Sequence, residues 1–232
     1  IAVKTLREAF VAVPPTQLGL EGAAVAANAA IVAAADEDPE LRGMGTTLVA
    51  MARTDDDELA YVNVGDSRIY LLRDDVLQPL TVDHSLVQEL VEEGSLTPEE
   101  ARVHPRRNVV TRALGISEHV DVDADTITPY TGDRYILCSD GLTDEIDEDR
   151  MASVLRRLAD PGEAAAELVR LALDHGGRDN VTVLVLDVVD DDGRAESASA
   201  QITSTPIDDP AGFRTAGDRG VEEGATAAVP DV

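Results

Sequence analysis

Three aspartates stand beside glycine at the borders of apolar, strand-like runs. Ser139-Asp140-Gly141 follows Tyr135-Ile136-Leu137-Cys138 directly, and Gly176-Gly177-Arg178-Asp179-Asn180 runs into Val181-Thr182-Val183-Leu184-Val185. Upstream, Gly65-Asp66-Ser67-Arg68 follows Leu59-Ala60-Tyr61-Val62-Asn63-Val64. A carboxylate at such a border can project into a cleft instead of a core, and its oxygens suit hard divalent cations such as Mg²⁺ or Mn²⁺. Crowded carboxylates repel, and at least one pKa rises. A divalent pair relieves that repulsion, lowers the pKa of a held water toward neutrality and clamps a phosphoryl centre. One such turn alone is more often a plain β-turn or helix cap. Three of them point to a metal-assisted hydrolase.

The elements that must position these turns follow from periodicity. Residues 1–11 and 17–35 have helical character, the second rich in alanine, and Pro14-Pro15 separates them. From Thr46 the period changes to two. Residues 46–52, 59–64, 69–72 and 76–80 read as short strands joined by Asp-rich turns, which favours antiparallel pairing. Residues 83–107 form an insert with two short helices, Ser85 and Thr97 serving as N-caps; Thr97-Pro98-Glu99-Glu100 has the capping-box form. Strands return at 120–128 and 134–138, a helical pair at 147–158 and 161–175, and a last strand at 180–189. The expected fold class is α+β, a layered domain over residues 1–188. Residues 189–232, rich in Asp, Glu, Ser, Thr, Ala, Gly and Pro, are expected to be an acidic disordered tail.

Composition narrows the partners. The formal net charge of −27 repels nucleic acid and anionic lipid and favours a metal ion or a cationic partner. The single cysteine, Cys138, excludes an intramolecular disulfide, fits a reducing cytoplasm and reads as a buried small hydrophobe. The alanine-rich stretch from Ala23 to Ala35 reads as too short for a membrane span.

The set Gly43-Met44-Gly45-Thr46-Thr47, Gly65-Asp66-Ser67-Arg68, Ser139-Asp140-Gly141 and Gly177-Arg178-Asp179-Asn180 resembles the metal-dependent PP2C-type (PPM) serine/threonine phosphatases. Asp83-His84-Ser85-Leu86-Val87, His104-Pro105-Arg106-Arg107-Asn108 and Thr111-Arg112-Ala113-Leu114-Gly115 resemble its bacterial branch. The resemblance implies an α-β-β-α sandwich of two antiparallel sheets flanked by helix pairs. It implies hydrolysis of phosphoserine and phosphothreonine on proteins by a hydroxide held between two Mn²⁺ or Mg²⁺ ions, opposing Ser/Thr kinases. Asp140 and Asp179 would serve the two-metal centre, and Asp66 would join Asp140 at a third ion. Residues 83–107 would be a flap beside the site, with His84, Ser85, His104 and Arg106 bearing on substrate access. Partners would be phosphorylated proteins, among them Ser/Thr kinases and their substrates. The expected state is a monomer in the cytoplasm, tethered to the inner membrane face if a membrane segment follows Val232.

The family's earlier block, with a phosphate-gripping arginine and an Asp-Gly-x-Gly-Gly segment whose aspartate bridges both metals, does not occur. The resemblance therefore implies an N-terminally truncated copy without its first strands, with an open sheet edge and little activity as it stands. The rival readings are a non-catalytic, phosphatase-like regulator that binds partners and a calcium-binding acidic protein. Asp121-Val122-Asp123-Ala124-Asp125 mimics the start of an EF-hand loop, but Thr126 stands where glycine is needed and Gly132 where glutamate is needed.

Overall fold

A computed structural model describes residues 1–12 and 16–194. The chain forms α1 (Ala2–Ala12), α2 (Gln17–Glu37), β1 (Leu48–Arg53), β2 (Leu59–Val64), β3 (Arg68–Arg73), β4 (Val76–Pro79), α3 (Leu86–Glu92), α4 (Pro98–Val103), β5 (Asp123–Ile127), β6 (Arg134–Cys138), α5 (Asp140–Thr143), α6 (Glu148–Arg157), α7 (Pro161–His175) and β7 (Val183–Asp187). Two antiparallel sheets result, ordered β1-β2-β5 and β4-β3-β6-β7. The α+β class and paired antiparallel sheets match the sequence reading.

Strand alternation separates two faces on each sheet. In β2, Ala60, Val62 and Val64 meet α2 through Leu20, Ala27 and Ile31. In the second sheet, Tyr70, Leu72, Ile136 and Cys138 pack with Met151, Leu155, Leu168 and Ala172 of α6 and α7. The opposite face of that sheet buries Ile69, Leu71, Tyr135 and Leu137. It is open at β7. Leu186 and Leu184 pair with Tyr135 and Leu137 and so share their face, yet are 45% and 55% exposed.

Local chemistry sets the helix ends. Thr97 and Glu100 make the reciprocal capping box on α4, and Ser85 accepts from the Gln88 N–H to start α3. Asp147 and Asp160 cap α6 and α7, and α6 runs from acidic Glu148 and Asp149 to basic Arg156 and Arg157, in line with its macrodipole.

One reading needs correction. Helix α2 runs 21 residues, long and apolar enough by length and composition to cross a membrane. It is nonetheless a core helix. Leu20, Ala24, Ala27 and Ile31 lie under the first sheet. Buried Asn28 donates to the Ser117 and Glu118 carbonyls and accepts from the Gly115 N–H, pinning the 114–118 loop.

Most of the tail expected at 189–232 lies outside the described residues. Its first residues do contact the domain: Asp191 is buried and accepts from the Thr131 N–H, and Arg194 donates to the Asp57 carbonyl.

Candidate functional site

Strand register brings the three aspartates to one end of the second sheet. Arg68 of β3 pairs with Cys138 of β6, and Cys138 pairs with Val183 of β7. Asp66 precedes Arg68 by two residues, Asp140 follows Cys138 by two, and Asp179 precedes Val183 by four. Asp66 also sits in the short link, residues 65–67, where the chain passes from the first sheet to the second. Asp66 and Asp140 line one open cleft of about 640 Å³.

The electrostatics follow from that placement. Burial first, then the charges of Asp140 and Asp83, push the Asp66 carboxyl up to about 6, against a smaller opposing pull from Arg68. Asp140 is raised by burial and then by the Asp179 charge. The three carboxylates thus form a repelling series, 66 to 140 to 179. Among the described residues no three His, Cys, Asp or Glu side chains stand together tightly enough to hold a metal ion. An all-oxygen set of this openness fits a hard cation that keeps several waters, as Mg²⁺ does when bound through one or two carboxylates.

The residues flanking each aspartate have defined tasks. Ser139 Oγ donates to the Asn180 carbonyl at 3.1 Å and accepts from the Thr182 N–H at 3.0 Å, while the Ser139 N–H bonds the Thr182 carbonyl. This clamps the Asp140 turn to the Asp179 turn. Gly141 makes the close approach possible, since a Cβ there would lie 2.4 Å from the Asn180 carbonyl oxygen. Asn180 works through its backbone, its N–H donating to Asp179 Oδ1 at 2.7 Å. Arg178 bonds the Glu145 carboxylate through Nε at 2.8 Å and Nη2 at 3.2 Å, a second tie between the turns. Gly65, at φ +112°, packs where a Cβ would stand 2.4 Å from a Thr47 methyl. Thr47 Oγ1 and Ser67 Oγ share a 2.9 Å hydrogen bond across that contact.

Replacing Gly141 with alanine should force the Asp140 and Asp179 turns apart, because the obstacle is backbone. The expected cost is about 1–3 kcal/mol in chemical denaturation. Any Mn²⁺-induced rise in unfolding temperature should shrink with it.

The flap residues divide. Ser85 lines the cleft and caps α3. His84 is buried and does not line it. His104 caps α4, its Nδ1 accepting from the Arg106 N–H, and neither His104 nor Arg106 lines the cleft. The arginines of the insert that do are Arg102 and Arg107, and Arg68 of β3 lines it as well. Arg107 pairs with Asp144 at 3.0 Å, joining the insert to the helix that carries Asp140. Sequence reasoning passed over Arg107 because the two adjacent arginines look alike; the turn after α4 decides which one faces inward.

Sequence reasoning also missed Asp83 as a partner. Arg68 grips it at 2.7 and 2.6 Å and donates to Tyr70 Oη at 3.1 Å, forming a half-buried floor beside Asp66. Burial pushes the Cys138 thiol up to about 12, so it is an inert core group. The Asp123–Asp125 run is part of strand β5, which excludes the EF-hand geometry there.

Known proteins share this architecture. The family model described as protein phosphatase 2C matches residues 1–173. The serine/threonine protein phosphatase PstP of Mycobacterium tuberculosis is 46% identical over 173 residues, covering 75% of this chain and 33% of the relative. The serine/threonine phosphatase stp of Listeria innocua is 44% identical over 162 residues, covering 69% of this chain and 63% of the relative. The crystal structure of the PstP catalytic domain in complex with two manganese ions superposes with a TM-score of 0.72 at 40% identity, covering 82% of this chain and 81% of that one. This chain therefore spans from about a third to under two thirds of the length of these curated relatives.

Proposed function

Since this chain belongs to the protein phosphatase 2C family, we propose that it forms the Asp66–Asp140–Asp179 face of a metal-dependent phosphatase acting on phosphoserine and phosphothreonine in proteins. The observation that carries this reading is the repelling carboxylate series at one sheet end, two of whose members line the open cleft. The crystallised PstP domain, 40% identical, holds two manganese ions, and Mn²⁺ or Mg²⁺ is the proposed cofactor here.

Asp140 and Asp179 would hold the ions of the main centre, and Asp66 with Asp140 a further one. Divalent ions held there would supply Lewis-acid polarisation of a phosphoryl oxygen and would acidify a water. The chain's own residues do the positioning. Ser139, Gly141 and Glu145 hold the Asp140 and Asp179 turns together. The Arg68–Asp83 pair supports the Asp66 side of the cleft, and Arg107 and Asp144 tie the insert to its other wall. Cys138, buried and held as a thiol, takes no part as a nucleophile.

The proposed partners are phosphorylated proteins, Ser/Thr kinases among them, met by a monomer at the cytoplasmic side of the cell. A second reading, a phosphatase-like binding protein without turnover, is favoured by one observation: no three candidate ligands converge among the described residues. For the same reason turnover of this chain by itself is expected to be slight.

Hydrolysis of a phosphothreonine peptide with and without Mn²⁺ separates the two readings. The enzyme reading expects slow release of phosphate that needs Mn²⁺ and falls at least about a hundredfold in Asp179→Ala. Release that ignores both the metal and the substitution overturns it, and peptide binding with no release at all supports the second reading.

A further inference from the structure

The buried ring of His84 is not used by the site as described, yet it makes a closed set of contacts. Its Nδ1 lies 2.9 Å from the backbone nitrogen of Gly65, the residue directly before Asp66. The His84 backbone N–H donates to the Gly65 carbonyl at 2.9 Å. His84 therefore holds both polar groups of one residue, and that residue sits at φ +112°.

The other ring nitrogen, Nε2, lies 3.0 Å from Asp123 Oδ2 and 2.9 Å from Arg112 Nη1, and Arg112 Nη1 donates to Asp123 Oδ1 at 2.6 Å. Hydrogen-bond logic fixes the proton. Gly65 has only an N–H to offer, so Nδ1 must be the acceptor. A neutral imidazole with Nδ1 unprotonated carries its hydrogen on Nε2. Nε2 then donates to Asp123 Oδ2 and Arg112 Nη1 donates to Asp123 Oδ1, so the 2.9 Å approach of Nη1 to Nε2 is a contact of two donors held by the shared carboxylate and not a hydrogen bond. A ring protonated on both nitrogens would set Nδ1–H against the Gly65 N–H.

The backbone around His84 extends the connection. The Thr111 N–H donates to the His84 carbonyl, Leu86 N–H to the Val109 carbonyl, and Ser85 bridges Val110. The base of the insert is thus fixed to the residue that holds Gly65. Asp123, at the start of β5, pairs in register with Asn63 of β2, two residues before Gly65. Buried Asn63 adds its own bond to the Val82 carbonyl at 2.8 Å.

We infer that His84 is a positioning residue for Asp66: as the neutral Nε2–H tautomer, held by Asp123 and Arg112, it fixes the Gly65 backbone and so aims the Asp66 carboxylate into the cleft. The sequence reading placed His84 in the flap as a group bearing on substrate access. The inferred role acts on the metal side instead, and it makes the base of the insert and the Asp66 turn one mechanical unit. The part of the inference that concerns metal rests on the reading proposed above; the part that concerns the Gly65 turn does not. Groups that orient a ligating carboxylate typically alter metal affinity about 10–100-fold when removed.

The experiment combines NMR of the unmodified chain with three variants. In ¹⁵N-histidine-labelled protein, His84 should show the Nε2–H tautomer at neutral pH, with a scalar coupling across the Gly65 N–H···Nδ1 bond. An Nδ1–H tautomer, or a missing coupling in a well-resolved spectrum, overturns the inference without any variant. Asparagine places an acceptor near the Nδ1 position, whereas glutamine places one near Nε2. His84→Asn should keep slow hydrogen exchange at the Gly65 amide. His84→Gln and His84→Ala should speed it about 100-fold and raise the Mn²⁺ concentration for half-maximal thermal stabilisation about 10–100-fold. Equal behaviour of Asn and Gln, or unchanged Gly65 exchange in a folded His84→Ala, contradicts the role. If the unmodified chain shows no Mn²⁺ response, the metal reading of Asp66 fails, while the coupling and exchange still decide the place of His84.

Discussion

Adding Mn²⁺ at pH 7 should raise the unfolding temperature of the chain, and Asp140→Asn should remove most of that rise while stabilising the protein when no metal is added. The two effects have opposite signs because Asp140 stands in the middle of the carboxylate series. Its charge helps raise Asp66, and Asp179 helps raise Asp140. Removing that charge relieves the repulsion, by about 1 kcal/mol or less in a cleft open to water. It also removes the group common to both proposed ion sites. At a free Mn²⁺ concentration of 100 times the dissociation constant, linkage gives about 2.7 kcal/mol, or roughly 5–10 °C for a domain of this size.

The same groups set a pH dependence. The Asp66 carboxyl is pushed up to about 6 in the folded chain, above the ordinary aspartate value of 3.8. Between those values the folded chain binds more protons than the unfolded one, so stability falls as pH rises. The contribution is full below about pH 3.8 and is lost as pH rises through about 6. Mn²⁺ competes with that proton, so the Mn²⁺-induced rise should grow from pH 5 to pH 7. Thermal melts over that range, with and without Mn²⁺, check both signs; equal Mn²⁺ effects at the two ends contradict the assignment of Asp66.

Arg134→Met should destabilise the domain more than most single changes. The guanidinium is 9% exposed and donates to the Leu155, Leu158 and Ala159 carbonyls at 2.6–2.7 Å. It also grips Asp187 of β7 at 2.6 and 2.7 Å. One side chain therefore closes the C-terminus of α6, links it to β6 and fastens the β7 edge. Methionine keeps much of the volume but leaves a carboxylate and the helix-end carbonyls without their donor. Breaking a buried ion pair from one side costs about 3–5 kcal/mol. The denaturation midpoint should fall with the slope unchanged. A loss below about 1 kcal/mol would mean that water replaces the arginine at little cost.

Much of this architecture was legible in the residues. Strand β6 and helix α7 carry the bounds that period, proline and glycine signals give, 134–138 and 161–175, because a short apolar run and a capped amphipathic helix leave little choice. The capping box at Thr97 is equally local. Strand β5 is shorter than its extended run suggests, 123–127 against 120–128, because pairing with β2 begins only at Asp123. The three aspartates were legible as turn residues at strand borders; their meeting at one sheet end depends on register, which no local signal sets. The inward turn of Arg107 in place of Arg106 and the two-sided hold of His84 on Gly65 lie further from view. Both are contacts between segments 19 or more residues apart. Helix α2 was read as residues 17–35 and ends two residues later, at Glu37.

The claim on which the rest stands is that Asp66, Asp140 and Asp179 form one cation-binding face. Paramagnetic broadening of backbone amide signals by substoichiometric Mn²⁺ tests it most directly, since the broadening maps where the ion sits. Signals of the Asp66, Asp140 and Asp179 turns should fade first and together, and should stay sharp in Asp140→Asn at the same Mn²⁺ concentration. Fading that begins instead at the surface runs Asp36-Glu37-Asp38 or Asp55-Asp56-Asp57, with the three turns unaffected, would contradict it.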